Sequence, residues 1–276
     1  MSTLAQHQRH LDALHDIRDI MTALKNISLT ESQRLRRFLA SQQRVMNGIE
    51  HAMGDFLGHY PQDLPGAAAA SELILLIGSE RGFCGDFNET LLEHAQTAAE
   101  QPYLVAVGEK LGAKLDEMRL PAETLVGLTT VEDVPGVLLA VVEKLRELSA
   151  RHDAMQLTIV HHNFEGGVQE VRRLQPFRSL SPAETRRGYP PLLNVAPRTF
   201  FTQLLDHYLF AVLHSVLYSS LAAEHQQRLQ HLQGAIEHID RQSTTLTQRY
   251  NNLRQELITE EIEIIVLSAG AYPEER

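Results

Sequence analysis

A chain of 276 residues, 43% of them hydrophobic, is long enough for one large domain or two small ones and apolar enough to bury a core. Its net charge of −10, with no dense Lys/Arg tract, disfavours a nucleic-acid ligand and direct attachment to an anionic membrane, since both need a concentrated basic face. No apolar run reaches the 18 residues of a membrane span, and the N-terminus alternates Gln, His, Asp and Arg where a signal peptide needs an apolar run; a soluble intracellular protein is expected. Cys84 is the only cysteine, so neither an internal disulfide nor a cysteine-based zinc site is available. The 14 histidines lie scattered without an H-x-x-x-H pair, and most read as solvated helix-face residues.

From about Leu4 to Leu57 there is no proline, and apolar residues recur every three or four positions: Leu11, Leu14, Ile17, Met21, Leu24, then Leu35, Phe38, Val45, Ile49, Met53 and Phe56. That predicts one helix of roughly 80 Å, thinnest in apolar residues from Ser28 to Arg34 and ended by Pro61, Pro65 and Gly66. Residues 1–60 are assigned to it. The next zone, 71–178, alternates short apolar runs with helical patterns: a strand at Leu73–Ile77, a helix from Phe87 toward Glu100, and a strand at Tyr103–Val107. A helix around Lys110–Met118, a strand near Leu125, a helix over Val137–Ala150 and a strand at Leu157–Val160 follow. This alternation implies parallel βαβ units of a Rossmann-like α/β domain, closed by a hairpin through Gly166 and Gly167 that ends near Phe177. Residues 179–197, proline-rich and aperiodic, form a linker.

The last zone, 198–276, is again free of proline through Ser268 and predicts a helix of about 100 Å. Phe200–Leu221 is apolar nearly all round and must be covered on several sides. Beyond it the pattern narrows to a seam, with Leu232, Ile239, Leu246 and Leu253 on one heptad position and Ile236, Ser243, Tyr250, Leu257 and Ile264 on the other. Both terminal helices leave the same α/β domain, so the fold expected is α/β with long N- and C-terminal helices paired as an antiparallel coiled coil. Helices of this length reach past any core of their own and must be sheathed by another protein or act as a lever.

The loop Gly78–Asn88 sits between the first strand and the first helix of the α/β zone, where open sheets bind ligands. It has neither glycine pattern of a phosphate cradle, and no lysine is near. A nucleophile built on Cys84, with His161 or His162 as base, is one reading. The other is a tight turn in which Gly82 and Gly85 take unusual backbone angles and Cys84 packs as a small apolar residue.

Four passages resemble the γ subunits of F-type ATP synthases, and the likeness extends over nearly the whole chain. Ser79-Glu-Arg-Gly-Phe-Cys-Gly-Asp-Phe-Asn88 is similar to the family turn S-[DE]-R-G-L-C-G-G-[FL]-N, carrying Arg81, Gly82, Cys84, Gly85 and Asn88. Ile20–Ser28 is similar to the I-T-K-A-M-K-M-V-A run of the first helix. Arg254–Ile262 is similar to R-Q-A-x-I-T-x-E-[IL], and Ala223–Arg228, with Glu224 and Arg228, more weakly to S-E-x-x-A-R-M. The resemblance implies a non-catalytic rotor shaft without cofactor or metal, inserted into a hexamer of α and β subunits. Its further partners would be the ε subunit and the membrane c-ring, with no nucleic acid and no direct membrane insertion. It would lie peripherally at the cytoplasmic face of a bacterial inner membrane. Leu24, Lys25, Arg254, Gln255, Thr259 and Glu261 would touch the surrounding hexamer.

The sequence also departs from the family pattern. Asp12, Asp16 and Asp19 interleave with Arg9 and Arg18 where the family is basic, Asp86 replaces a glycine, and the end reads Ala269-Gly-Ala-Tyr-Pro-Glu-Glu-Arg276 in place of a small apolar tip. These changes mark a divergent branch, such as an alternative bacterial F-type ATPase. Two rival functions stand beside the shaft: a coiled-coil tether with an α/β head, and a Cys84-dependent α/β enzyme.

Overall fold

A computed structural model describes residues 3–60, 71–95, 102–151, 155–165, 168–174 and 189–270. Helix α1 spans Thr3–His59; strand β1 Ser71–Ile77, helix α2 Phe87–Ala95, strand β2 Tyr103–Val107, helix α3 Glu109–Glu117 and strand β3 Ala122–Leu125 follow. Then come helix α4 (Val134–Arg151), strands β4 (Met155–Glu165) and β5 (Val168–Leu174), and helix α5 (Pro197–Gly270). The expected helix end at Pro61–Gly66, the Gly166–Gly167 turn, most of the linker and the charged tip beyond Ala271 fall outside the described residues.

The chain divides into two compact units. One holds Ser28–Arg228; the other joins the start of α1, through Ile27, to α5 from Leu229.

In the first unit the sheet runs β3-β2-β1-β4-β5, parallel except for β5, which returns antiparallel beside β4. β1 is central and apolar at every position from Leu73 to Ile77 because both faces are covered. Leu73, Leu75 and Ile77 join a large core with α4, the later half of α1 and the first part of α5, while Ile74 and Leu76 pack against Leu91 of α2 and Leu111 and Leu115 of α3. α4 starts three residues earlier than the expected Val137, because Thr130 and Asp133 form a capping box ahead of it. Asp133 Oδ2 accepts from the backbone N–H of Thr129 (2.9 Å) and Thr130 (2.8 Å), and Pro135 is tolerated in a first turn that needs no N–H.

Within this unit α1 and α5 run antiparallel. Phe56 packs on Phe200 and Phe201 with ring centroids 5.3 and 5.5 Å away, and Phe38 stacks on Tyr218 at 5.5 Å. Gln42 Nε2 donates to the Ala211 carbonyl at 3.1 Å.

The second unit is the two helices alone, again antiparallel: Arg18 Nε donates to Asp240 Oδ1 at 2.7 Å and Lys25 Nζ to Gln233 Oε1 at 3.0 Å. Leu11 and Leu14 of α1 and Leu232, Ile236 and Ile239 of α5 are buried; Ser243, Leu246, Tyr250 and Leu253 are half-buried. Leu257 and Ile264, expected in the same seam, are 45% and 65% exposed. The reason is register. From the Arg18–Asp240 pair, walking α1 back to its first described residue, Thr3, walks α5 forward only to Gln255. Every described side chain from Arg254 to Ser268 is exposed.

Most of the expected α1 face is covered, Leu24 among it, but Ile17, Phe38 and Val45 are exposed, and one row of covered positions runs Leu11, Leu14, Arg18, Met21, Lys25, Ser28, Ser32, Leu35, Leu39, Gln42, Met46, Ile49, Met53 and Phe56. These alternate three and four apart throughout, the spacing of a coiled-coil seam. The stretch from Ser28 to Arg34 therefore keeps its seam, with polar residues in it: Ser28, Glu31 and Ser32 are buried.

Candidate functional site

The loop from Gly78 to Asp86 leaves the carboxyl end of β1 and is held on three sides. At its base, the Ser79 N–H donates to Asn88 Oδ1 (3.0 Å) and Asn88 Nδ2 donates to Ser79 Oγ (2.9 Å), so Asn88 pins the loop to the first turn of α2. Toward the neighbouring strands, Glu80 Oε2 accepts from the backbone N–H of Gly127 (2.7 Å) and Glu109 (2.9 Å), and Ser79 approaches Gly108, whose φ of 115° only glycine adopts without strain. A Cβ at Gly108 would stand 2.6 Å from the Ser79 carbonyl oxygen.

The third side is α5. Arg228 Nε donates to the Gly82 carbonyl (3.2 Å), and Nη2 to the Arg81 carbonyl (3.4 Å), the Cys84 Sγ (3.2 Å) and the carboxylate of Glu224 one helical turn back. Beside it, Gln227 Nε2 donates to Asp86 Oδ1 at 3.0 Å, which gives a partner to the acidic residue standing where the family turn has glycine. Glu224, His225 and Arg228 are buried, as are Ser219 and Ser220 earlier on α5. A planar guanidinium with several fixed donors suits this cluster of carbonyl, thiol and carboxylate acceptors.

The loop's unusual angles fall partly elsewhere than expected. Gly85 does take a left-handed φ of 61°, but the second left-handed residue is Phe83 (φ 65°) and not Gly82. A bulky residue is strained there, and the flanking carbonyls of Arg81 and Gly82 are the ones that Arg228 holds. Phe83 points outward, half exposed.

The electrostatics do not activate Cys84 as a nucleophile. Burial, with the neighbouring Glu224 carboxylate, pushes the Cys84 thiol up to about 12. An activated cysteine needs the opposite shift. The imidazoles are otherwise engaged: His162 stacks on Phe87 with ring centroids 3.7 Å apart and its Nε2 lies 2.7 Å from the Phe87 carbonyl, while His161 Nδ1 lies 3.0 Å from the His162 carbonyl. His161, His162 and His225 are the buried exceptions among the described histidines, and burial holds His161 and His225 down to about 4. Cys84 is buried as expected, but among polar groups. Burial raises Glu224 to about 7, and the positive charge of Arg228 works against that rise.

Two passages singled out separately in the sequence, Arg81–Asn88 and Glu224–Arg228, thus form one joint. The remaining predicted residues stand apart from it. Leu24 and Lys25 are half-buried on α1, with Lys25 directed to Gln233. Arg254, Gln255, Thr259 and Glu261 are exposed on α5, where the Thr259 hydroxyl donates to the Gln255 carbonyl (2.9 Å). Sequence reasoning missed the buried Ser28–Glu31–Ser32 layer and the seam roles of Arg18 and Lys25. The unbroken alternation of three and four from Leu11 to Phe56 was the signal that would have found them.

The profile of the family described as ATP synthase matches residues 3–272. The chain is 24% identical to the ATP synthase gamma chain of Clostridium beijerinckii over 97% of this chain and 98% of that one. It is 25% identical to the ATP synthase gamma chain of Syntrophobacter fumaroxidans over 98% and 99%. Among solved structures it is similar in fold to a chain of the Euglena gracilis mitochondrial ATP synthase OSCP/F1/c-ring assembly (TM-score 0.67, 18% identity, 98% of this chain and 94% of that one). A chain of the Tetrahymena thermophila mitochondrial ATP synthase central stalk and c-ring is similar with a TM-score of 0.59 at 19% identity, covering 78% and 99%. With helices at both ends, a mostly parallel sheet between them and a match spanning nearly its whole length, the chain belongs to the ATP synthase family as a γ chain.

Proposed function

We propose that this γ chain is the central stalk of an F-type ATP synthase and works as its shaft, carrying torque between an ion-driven membrane ring and the catalytic subunits without making or breaking bonds itself. The observation that carries the shaft reading is the outer end of α5. Seven large apolar residues there, Leu257, Ile258, Ile262, Ile264, Ile265, Val266 and Leu267, are between 45% and 74% exposed, and a helix so apolar is soluble only when something else covers it. A hexamer of α and β subunits is the cover. Arg254, Gln255, Thr259 and Glu261, set along the same segment, and Leu24 and Lys25 on α1 supply unequal contacts as the shaft turns. A shaft biases the conformations of its neighbours only through such unequal contacts.

The ε subunit and the c-ring are the partners assigned to the α/β unit, and the peripheral, cytoplasmic side of a bacterial inner membrane is the assigned place. No described helix is long and apolar enough to cross a membrane, consistent with attachment through those partners. Nucleotides bind on the α and β subunits, and the unreactive setting of Cys84 argues against the rival enzyme.

Co-expression with the α and β subunits of the same genome tests the reading: a purified complex whose ATPase activity depends on this chain is expected. Failure to co-purify, or activity indifferent to this chain, refutes it, and a stable rod that captures an unrelated protein favours the tether.

A further inference from the structure

Within the unit Ser28–Arg228, α5 is bound to the sheet chiefly by apolar side chains, among them Leu213, Val216, Leu217 and Leu221. Apolar attraction is non-directional and fixes a helix's turn and slide only through the shape of the packed surfaces. Directional contacts add to that. Ser219 Oγ accepts from the Phe164 N–H (2.9 Å) and Ser220 Oγ donates to the Ile77 carbonyl (3.2 Å), single neutral bonds close to the sheet. Arg228 differs in kind. It is the last residue of the unit, it is charged and buried, and its one guanidinium binds two carbonyls and the thiol of the β1–α2 loop while Glu224 balances its charge. Hydrogen bonds from a charged donor in a buried site are the stronger kind. The loop it grips is braced in turn by Asn88 and Glu80, so a force on α5 at Arg228 reaches β1 and α2 through the loop's own backbone, and α3 and the segment after β3 through the Glu80 bonds.

We propose that Arg228 is the positioning residue that makes α5 and the α/β domain turn as one body, so that its loss lets ATP hydrolysis run ahead of ion transport. The inference rests on the shaft reading above. Gln227 to Asp86 is a lesser second tie.

The test uses the whole ATP synthase complex carrying Arg228→Met or Arg228→Lys, reconstituted into liposomes, with ATP hydrolysis and the ATP-driven membrane potential recorded on the same preparation. For Arg228→Met, the potential developed per ATP hydrolysed should fall roughly threefold or more, because the charge-assisted bonds are lost together, while hydrolysis persists. Arg228→Lys, keeping the charge and fewer bonds, should fall between. A merely structural residue lowers the yield of complex and scales both activities together. An unchanged ratio in Arg228→Met overturns the proposal; if that variant does not assemble, an unchanged ratio in Arg228→Lys overturns it. Failure of the shaft reading looks different: the unmodified chain would not be found with the α and β subunits at all.

Discussion

Between Tyr208 and Arg228, α5 buries side chains on nearly every face, whereas between Leu257 and Leu267 the same helix leaves its large apolar side chains in water. Both stretches are rich in Leu, Ile and Val, so composition does not distinguish them. Company does. The first stretch has α1 and the sheet within its own unit, and the second extends past the register at which α1 begins. Local propensity keeps both helical, and among the described residues only the first has tertiary contacts to add to that propensity. Under the proposed shaft function, the buried stretch supplies stability and the exposed stretch is the surface the α and β subunits cover.

The largest break in this comparison comes from truncating one side chain in each stretch. Leu221→Ala, at 1% exposure, should destabilise the isolated chain by about 3 kcal/mol, whereas Ile265→Ala should stay within about 0.5 kcal/mol, both read from urea unfolding. Equal costs would mean that the outer stretch is covered within the free chain.

Acid comes next, because it strikes the buried stretch through His225 and the sheet of the same unit through His161. His161 and His225 are held at about 4, while an imidazole in the unfolded chain protonates near 6.5. Their contribution is complete above pH 6.5 and is lost as pH falls toward 4, roughly 2–3 kcal/mol for each buried imidazole. His161→Gln should make the loss of stability between those values shallower. An identical pH profile would place the acid sensitivity elsewhere. Glu224 has the opposite sign: raised to about 7, it contributes stability that is complete below the ordinary carboxylate range and lost as pH rises through 7. Glu224→Gln should remove that falling limb, and persistence of the limb would remove Glu224 as its source.

A smaller effect is expected at Gln42, whose amide serves both the Ala211 carbonyl and His214 across the helix pair. Gln42→Ala should cost about 1–2 kcal/mol in the same unfolding measurement, and no cost would mean that water replaces both bonds. Smallest of all is Asp240→Asn, which cuts an exposed pair with Arg18 and should leave the melting temperature unchanged within error.

Much of the fold was legible because it follows from periodicity. β1, β2, α3 and the long α5 could be read from apolar runs, helical spacing and the absence of proline. What escaped were features that depend on pairing. The α1 seam was obscured where Arg18, Lys25, Ser28, Ser32 and Gln42 occupy seam positions, since an apolar pattern does not register buried serines or polar residues such as Arg18, Lys25 and Gln42 that bond to the opposite helix. The end of the seam near Leu253 depended on where the other helix starts. At the joint, each half could be recognised as a motif. That Arg228 reaches the carbonyls beside Phe83, across 146 residues of chain, is tertiary geometry with no local signal.

The most direct test of the central claim is solvent accessibility at the outer end of α5. An Ile265→Cys variant adds one reporter thiol to a chain whose only other cysteine, Cys84, is buried with its thiol pushed up to about 12 and so stays silent. Labelling by a maleimide should be fast in the isolated chain and strongly slowed once α and β subunits are present. Equal rates in the two states would contradict the claim that this stretch is built to be sheathed.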